Sequence, residues 1–296
     1  MKSSSAANAA VGRTFAGFIV SVAISVAISA AIGGAAWAQA PAQKDEFVPH
    51  VGQAGKDVIW VPTPEELVER MLRMAQATPK DFVIDLGSGD GRIAIAAAKK
   101  IGARAIGIEY NPDMVTLSNR SAQAQGVSDK VKFIKADIFE SDFSEATVIT
   151  MYLLPGLNLK LRPKLLGMKP GTRLVSHQFN MDDWEPDERT SLEGRLAFLW
   201  IVPAKVQGDW QLKAGGQTRD LALTQQYQKI NGHLKIGALE AGLRDAALHG
   251  DRIGFGWVDN TGVRHDFSGR VNGNQMEGTV RSGDGRDEGR WTATRR

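Results

Sequence analysis

The chain has 296 residues, 43% of them hydrophobic, a formal net charge of +3 and no cysteine. That length and apolar content support one large or two smaller cores, and the missing cysteines exclude a disulfide framework, a thiolate metal site and a cysteine nucleophile. Charge is nearly balanced and lysine and arginine form no run, so no nucleic-acid partner is expected.

Residues 1–38 read as a leader. Lys2 and Arg13 make a basic start, Phe15 to Ile32 is almost continuously apolar, and no charge follows Arg13 until Lys44. Ala36-Trp37-Ala38 fits the small-x-small rule for signal-peptidase cleavage before Gln39. An uncleaved anchor is the alternative, because about 20 apolar residues span a bilayer. Both readings put the positive flank inside and the folded part outside. The expected location is therefore exported, periplasmic or membrane-anchored facing the periplasm. It is cytoplasmic if the leader is misread. Membrane contact is expected through this segment only, and residues 39–56 form a linker.

From residue 57 to 204, helix and strand signals alternate, which indicates a parallel sheet covered by helices. Thr63-Pro64-Glu65-Glu66 reads as a capping box, followed by the apolar helical face Leu67, Val68, Met71, Leu72 and Ala75. Phe82 to Leu86 is a short buried strand. A glycine loop follows, then a helix from Arg92 that stops before Gly102. Arg104 to Glu109 is the second strand. Asn111 caps the next helix, Pro112 opens it and Gly126 ends it. Val131 to Ala136 and Ala146 to Met151 are the third and fourth strands. A helix near Leu157 to Leu166 leads to the fifth strand, Thr172 to Phe179. Leu196 to Val202 is expected as an added edge strand.

From residue 205 to 296 the pattern changes to short alternating runs. Asn231-Gly232, Asn260-Thr261-Gly262, Asn272-Gly273 and Gly283-Asp284-Gly285 read as turns between them. The expectation is an antiparallel meander or small barrel-like domain of the lipocalin type. Trp210, Trp257 and Trp291 are expected to fill its core.

The chemistry concentrates in Asp85-Leu86-Gly87-Ser88-Gly89-Asp90-Gly91. Glycines allow a ligand to approach the backbone at the carboxyl end of the first strand, and the following helix offers free N–H groups. The spacing is G-x-G-x-G rather than the dinucleotide G-x-G-x-x-G. Asp85 is placed to meet the ammonium of a methionine moiety. Glu109, ending the second strand, is placed to accept two ribose hydroxyls. Asp137, after the third strand, is placed to hold an adenine amino group. Asp182, Asp183, Glu185, Asp187 and Glu188 cluster after the fifth strand, either as a cation-attracting rim or as a solvated loop. The five histidines show no ligand spacing, and no metal site is expected; His177 reads as a packing or solvated residue.

Asp85 to Arg92, Gly107-Ile108-Glu109-Tyr110-Asn111-Pro112 and Ala136-Asp137-Ile138 resemble the first three motifs of class I S-adenosylmethionine-dependent methyltransferases. Val61-Pro62-Thr63-Pro64, Tyr152-Leu153-Leu154-Pro155, Lys169 to Arg173 and Trp184 narrow the resemblance. The narrower group contains the mitochondrial lysine methyltransferases of the ATP synthase c subunit and the adenine nucleotide translocase. The resemblance implies a Rossmann-like doubly wound sheet and S-adenosyl-L-methionine as cofactor. It implies that Thr63, Asp85, Gly87, Ser88, Gly89, Gly91, Glu109, Asn111, Asp137 and Ile138 surround that cofactor, and that Tyr152 faces the acceptor. The acceptor is expected to be a nitrogen, foremost a protein lysine. A small molecule or lipid acceptor, or a non-catalytic cofactor-binding protein, are the alternatives. The domain after residue 204 lies outside the resemblance.

Overall fold

The computed structural model describes residues 47–237, 239–283 and 287–296. The expected leader, residues 1–38, and the first part of the linker lie outside the described residues. Among the described residues, no helix is long and apolar enough to cross a membrane.

Phe82-Val83-Ile84-Asp85-Leu86 is apolar on both faces apart from Asp85, as suits a central parallel strand. It forms β1 (Phe82–Leu86), flanked by β2 (Arg104–Glu109) and β4 (Val148–Met151). The chain runs outward to β3 (Val131–Lys135), then returns to β4 and β5 (Arg173–His177) on the other side of β1. These five strands are parallel. The reversal of direction beside β1 opens a crevice at the carboxyl ends of the strands, where ligands of open α/β sheets bind.

Helices cover both faces. On one, α1 (Glu65–Met74) sets Leu67, Val68, Met71 and Leu72 against Val83, Val148 and Val175. The same core takes in α2 (Arg92–Ala96), which runs on into a π-helical turn (Ala97–Ile101), and α3 (Pro112–Ala124). On the other, α4 (Pro155–Leu165) packs Leu161 and Leu165 with Ile84, Leu86, Ile149 and Trp200. Asn111 caps α3 as expected, its side chain accepting from the Asp113 N–H at 2.9 Å. The capping box at Thr63 does not form: α1 has no side-chain cap, because the Thr63 hydroxyl is engaged elsewhere.

The sheet continues past β5 with β7 (Arg195–Ile201) and β6 (Glu188–Leu192), both pairings antiparallel. The expected edge strand near Leu196–Val202 is therefore internal, and β6 is the edge. Its sequence, Glu-Arg-Thr-Ser-Leu, lacks an apolar alternation because neither face is deeply buried. The turn is the readable part: Glu193 (φ 50°) and Gly194 (φ 78°) supply the two positive φ values of a tight hairpin.

The remaining strands are β8 (Gly208–Ala214), β9 (Gln217–Gln226), β10 (Lys229–Ile236), β11 (Leu239–Gly242), β12 (Arg244–His249), β13 (Arg252–Val258), β14 (Arg264–Asn272), β15 (Gln275–Ser282) and β16 (Asp287–Arg295). Each pairs antiparallel with its neighbour in sequence, except that β11 and β12 are two parts of one stretch, and β16 returns to β8. Residues 239–249 pair first with β10 and then with β13. The meander therefore closes on itself as an up-and-down barrel of eight staves, which removes free edges. Trp210, Leu221, Phe255, Phe267 and Trp291 occupy the middle. Phe255 and Phe267 stack at 4.9 Å and meet the Trp291 ring edge-on. Trp257 is buried in the same core. The Arg295 guanidinium lies 4.3 Å from the Trp210 ring and donates to the carbonyls of Lys205 and Gln207, closing one end.

Asn260-Thr261-Gly262 falls between β13 and β14, and the Asn272-Gly273 turn comes at Gly273-Asn274, with Asn272 the last residue of β14; Gly283-Asp284-Gly285 lies partly outside the described residues. Asn231-Gly232 is not a turn; it lies inside β10, and the hairpin turns at Tyr227-Gln228. A side chain at Gly232 would meet the Ala222 carbonyl oxygen at 2.1 Å, so the glycine serves a close backbone approach.

The barrel docks on the sheet through the acidic loop that follows β5. Trp184 is fully buried, stacked on Tyr227 at 5.7 Å, and its Nε1 donates to Gln228 at 3.0 Å. Asp183 takes the Tyr227 hydroxyl at 2.9 Å and pairs with Arg162. Glu185 pairs with Lys229 at 2.8 Å. Asp187 accepts from the Ile201 N–H at 2.7 Å and lies 3.7 Å from His249. Three of the five acids are thus committed to this interface, so the loop is neither a free cationic trap nor simply solvated.

Candidate cofactor and acceptor cleft

At the carboxyl ends of β1, β2 and β4 lies a cleft of about 290 Å³. The glycine loop forms its floor. Gly87, Gly89 and Gly91 have φ of 73°, 53° and 82°, left-handed values that L side chains rarely adopt. The loop is also tightly enclosed: a Cβ on Gly89 would sit 2.7 Å from Trp60 Nε1, and one on Gly91 2.5 Å from the Phe133 ring.

Three carboxylates converge on this floor. Asp85 is 2% exposed and accepts from Thr150 Oγ1 at 2.6 Å. Burial pushes its pKa up to about 7, against the Thr150 hydrogen bond and helped by the charges of Asp90 and Glu109. Glu109 accepts one backbone N–H on each oxygen, from Gly89 at 2.8 Å and Asn111 at 2.9 Å. It thereby ties the glycine loop to the cap of α3. Asp137 accepts the Phe139 N–H at 2.9 Å and pairs with Lys56 at 2.6 Å; chiefly this Lys56 contact holds its carboxyl below the usual range.

Lys56 belongs to a strap the sequence did not reveal. Residues 52–60 turn back on themselves, with Gly52 N–H donating to the Trp60 carbonyl and Trp60 N–H to Gln53. The strap lays Lys56 over the Tyr110 ring at 4.7 Å and Trp60 against Gly89. It then enters Thr63, which is buried and shares a 3.0 Å hydrogen bond with His177 Nδ1. Arg92 clamps the same region, pairing with Asp90 at 2.6 Å and donating to the Thr63 carbonyl at 2.9 Å. Thr150 was legible only as a member of a strand, and Arg92 only as the end of the glycine motif and the start of a helix.

The opposite wall comes from the loop after β4 and the end of β5. Tyr152 stacks on His177 at 3.8 Å and on Phe179 at 6.2 Å. Leu153, Leu154 and Leu157 complete it. Every site residue expected from the sequence except Gly91 lines this one cleft; Gly91, the N-cap of α2, sits just beneath the floor. Each carboxylate among the lining residues already has a partner: Asp85, Asp90, Glu109 and Asp137 as described, and Asp57 with Lys56 at 4.0 Å. No barrel residue reaches the cleft among those that line it.

A central parallel sheet ordered 3-2-1-4-5-7-6 with β7 antiparallel, a glycine floor after β1 and acids near the ends of β1 and β2 and after β3 define a class I S-adenosylmethionine-dependent methyltransferase. The profile of the ANTKMT methyltransferase domain matches residues 85–188. A protein-lysine N-methyltransferase of Saccharolobus islandicus (strain REY15A) is 44% identical over 162 residues, covering 53% of this chain and 96% of the relative. The human lysine N-methyltransferase of the ATP synthase c subunit is 34% identical over 146 residues, covering 49% of this chain and 61% of the relative. A solved structure described as an RNA methyltransferase from Salinibacter ruber with S-adenosyl-L-homocysteine is 50% identical, with a TM-score of 0.49, covering 49% of this chain and 96% of that one. The chain belongs to this methyltransferase family, and S-adenosylmethionine is the family's cofactor.

The residues present fit that cofactor. Ser88 Oγ is buried toward Gly107, without a hydrogen-bond partner, so Ser88 would meet a ligand through its backbone. The floor has no room for side chains but leaves the backbone open, and Asp85 is a desolvated acid suited to a cationic partner.

Proposed function

We propose that this methyltransferase acts on the ε-amine of a protein lysine. The observation that carries the reading is the division of the cleft. Carboxylates and glycines, all partnered or enclosed, form one side; Tyr152, Phe179, Leu154 and Leu157 form an aromatic and apolar wall on the other. Such a wall suits an alkyl stem that ends in a neutral amine, because a desolvated ammonium is costly there. The lysine-directed names of the archaeal and human relatives support it.

In this reading Asp85 holds the cofactor's ammonium, and Ser88 with Gly87, Gly89 and the N–H groups beyond Gly91 holds its carboxylate end. Glu109 takes the ribose hydroxyls, with Asn111 beside it. Asp137 and Ile138 border the adenine. The bound cofactor supplies an electrophilic methyl group on a sulfonium. The protein's task is to orient the acceptor nitrogen and exclude water. Tyr152 sits on the acceptor side for the first task, Thr63 borders the cofactor beside it, and the strap with Trp60 covers the cleft for the second. The leader-like residues 1–38 support an exported or tethered protein, with residues 57–204 as the catalytic unit and 205–296 as the barrel.

Cell extract incubated with methyl-labelled S-adenosylmethionine and the full chain tests the acceptor. Label is expected in protein and, after hydrolysis, in methylated lysine. Label in lipid, RNA or small molecules would replace the acceptor. Binding without any label would leave a non-catalytic protein. Calorimetry showing NAD binding in place of S-adenosylmethionine would overturn the site itself.

A further inference from the structure

His177 reads from the sequence as a packing residue, and it does pack, yet its contacts reach further than packing requires. It ends β5, 2% exposed, in register with Ala197 of β7. Its Nδ1 lies 3.0 Å from Thr63 Oγ1, and both side chains are buried. Its ring carries the Tyr152 ring at 3.8 Å, tilted by 36°. Thr63 in turn takes Arg92 on its carbonyl, and Arg92 is paired with Asp90 of the glycine floor. A continuous path of contacts therefore runs from the floor through Asp90, Arg92, Thr63 and His177 to Tyr152.

We propose that His177 is a positioning residue that couples the cofactor floor to the acceptor wall, holding the Thr63 strap and the Tyr152 ring in mutual register. The inference rests on reading the Tyr152 wall as the acceptor side. Two consequences follow from the geometry. First, His177 acts through its hydrogen bond and its ring face together, so a replacement must keep one of them to retain function. Second, the imidazole is neutral when it does this. Burial, seconded by the Arg195 charge, pushes its pKa down to about 4. A charged imidazolium beside Tyr152 would repel a cationic acceptor; a neutral one leaves the wall open to an amine. This ring is therefore not the base that takes the proton the acceptor must shed.

The test uses the full chain and the variants His177→Ala, His177→Asn, Thr63→Val and the double variant Thr63→Val/His177→Ala. Two readouts are taken: labelled methyl transfer into extract protein, and S-adenosylhomocysteine affinity by calorimetry. His177→Ala and Thr63→Val should each lower transfer by about tenfold or more, and the double variant should fall no further, since coupled contacts are non-additive. His177→Asn, which keeps a polar group near the Nδ1 position, should recover much of the loss. S-adenosylhomocysteine affinity should stay within about threefold in His177→Ala and His177→Asn, which a collapse of the site would not allow. Multiplying losses, or affinity falling in step with transfer in these two variants, would overturn the proposal. A third readout needs no acceptor. Nitrogen-15 histidine spectra should show His177, assigned by its loss in His177→Asn, neutral from about pH 5.5 to about pH 8 and shifted by Thr63→Val. Titration of that ring inside this range, or indifference to Thr63→Val, would also overturn it. Wild-type protein that labels no protein, with the spectra as expected, would refute the lysine reading and leave the positioning role standing.

Discussion

Asp85 shows how a single residue carries a pH dependence. Its folded pKa, about 7, lies above the ordinary 3.8 of an aspartate, so the ligand-free protein holds a proton there that the unfolded chain has lost. The ligand-free protein is therefore expected to lose stability as pH rises from about 4 to about 7. An ammonium bound at Asp85 requires the ionised form, and below about pH 7 that proton must first leave. Calorimetry should show cofactor affinity tightening by about tenfold or more between pH 5.5 and pH 7, with proton release at the acid end. Asp85→Asn should bind weakly and without that slope. A flat wild-type profile would remove Asp85 from the ammonium. Glu109 makes a second case. Each of its oxygens already holds one backbone N–H, and each keeps a lone pair for a hydroxyl. Charge-assisted bonds are worth roughly 1.5–3 kcal/mol each, so Glu109→Ala should weaken S-adenosylhomocysteine binding by at least about tenfold in a folded protein. Unchanged affinity would place the ribose elsewhere.

Among the elements, the strap over residues 52–63 is held by contacts of unequal weight. Lys56 is exposed, and its pairing with Asp137 is screened by solvent. Thr63 and Trp60 are the enclosed points, against His177 and Gly89. Lys56→Ala should therefore weaken cofactor binding by less than about fivefold and lose even that difference in high salt. A larger, salt-independent loss would make Lys56 a direct ligand contact. The loop after β5 behaves differently, because three of its acids are spent on Arg162, Tyr227, Lys229 and His249. Trp184, buried between the barrel and the sheet, gives that loop its purpose.

At the scale of the molecule, sheet and barrel are joined by a defined interface, yet the cleft is lined without the barrel. A chain ending at Ala204 would leave Trp184, Asp183 and Asp187 without their barrel partners Tyr227, Gln228 and His249. It should bind S-adenosylhomocysteine within about threefold of the full chain but melt several degrees lower, as expected when about 1–2 kcal/mol of packing is removed from a domain of this size. A folded truncation blind to cofactor would show that the barrel completes the site. For location, we propose export, and N-terminal sequencing after fractionation should find a mature start at Gln39 in the periplasm. An intact membrane-bound chain supports the tether, and a full-length soluble cytoplasmic protein refutes both.

The residues alone determined the parallel sheet and the residues that gather in the cleft at its carboxyl edge, because their signals are local. A buried strand, a glycine loop with positive φ and an acid at a strand end each occupy a few consecutive positions, and Asp85, Glu109 and Asp137 were placed from these. Asn111 and Pro112 announced α3 by the same short-range chemistry. The edge strand β6 escaped because an edge has little to bury and so shows no alternation. Thr63 was misread because a capping motif is defined by neighbours in sequence, whereas its hydroxyl went to His177, 114 positions away. Asn231-Gly232 looked like a turn for the same reason, and only the crossing of β9 beside it shows a glycine needed for clearance. Lys56 and Thr150, and the contacts that Arg92, Tyr152 and His177 make, have no local signature at all. Tertiary structure alone decided their partners, as it decided that the acidic loop would anchor a barrel, because a contact between distant residues carries no period along the chain.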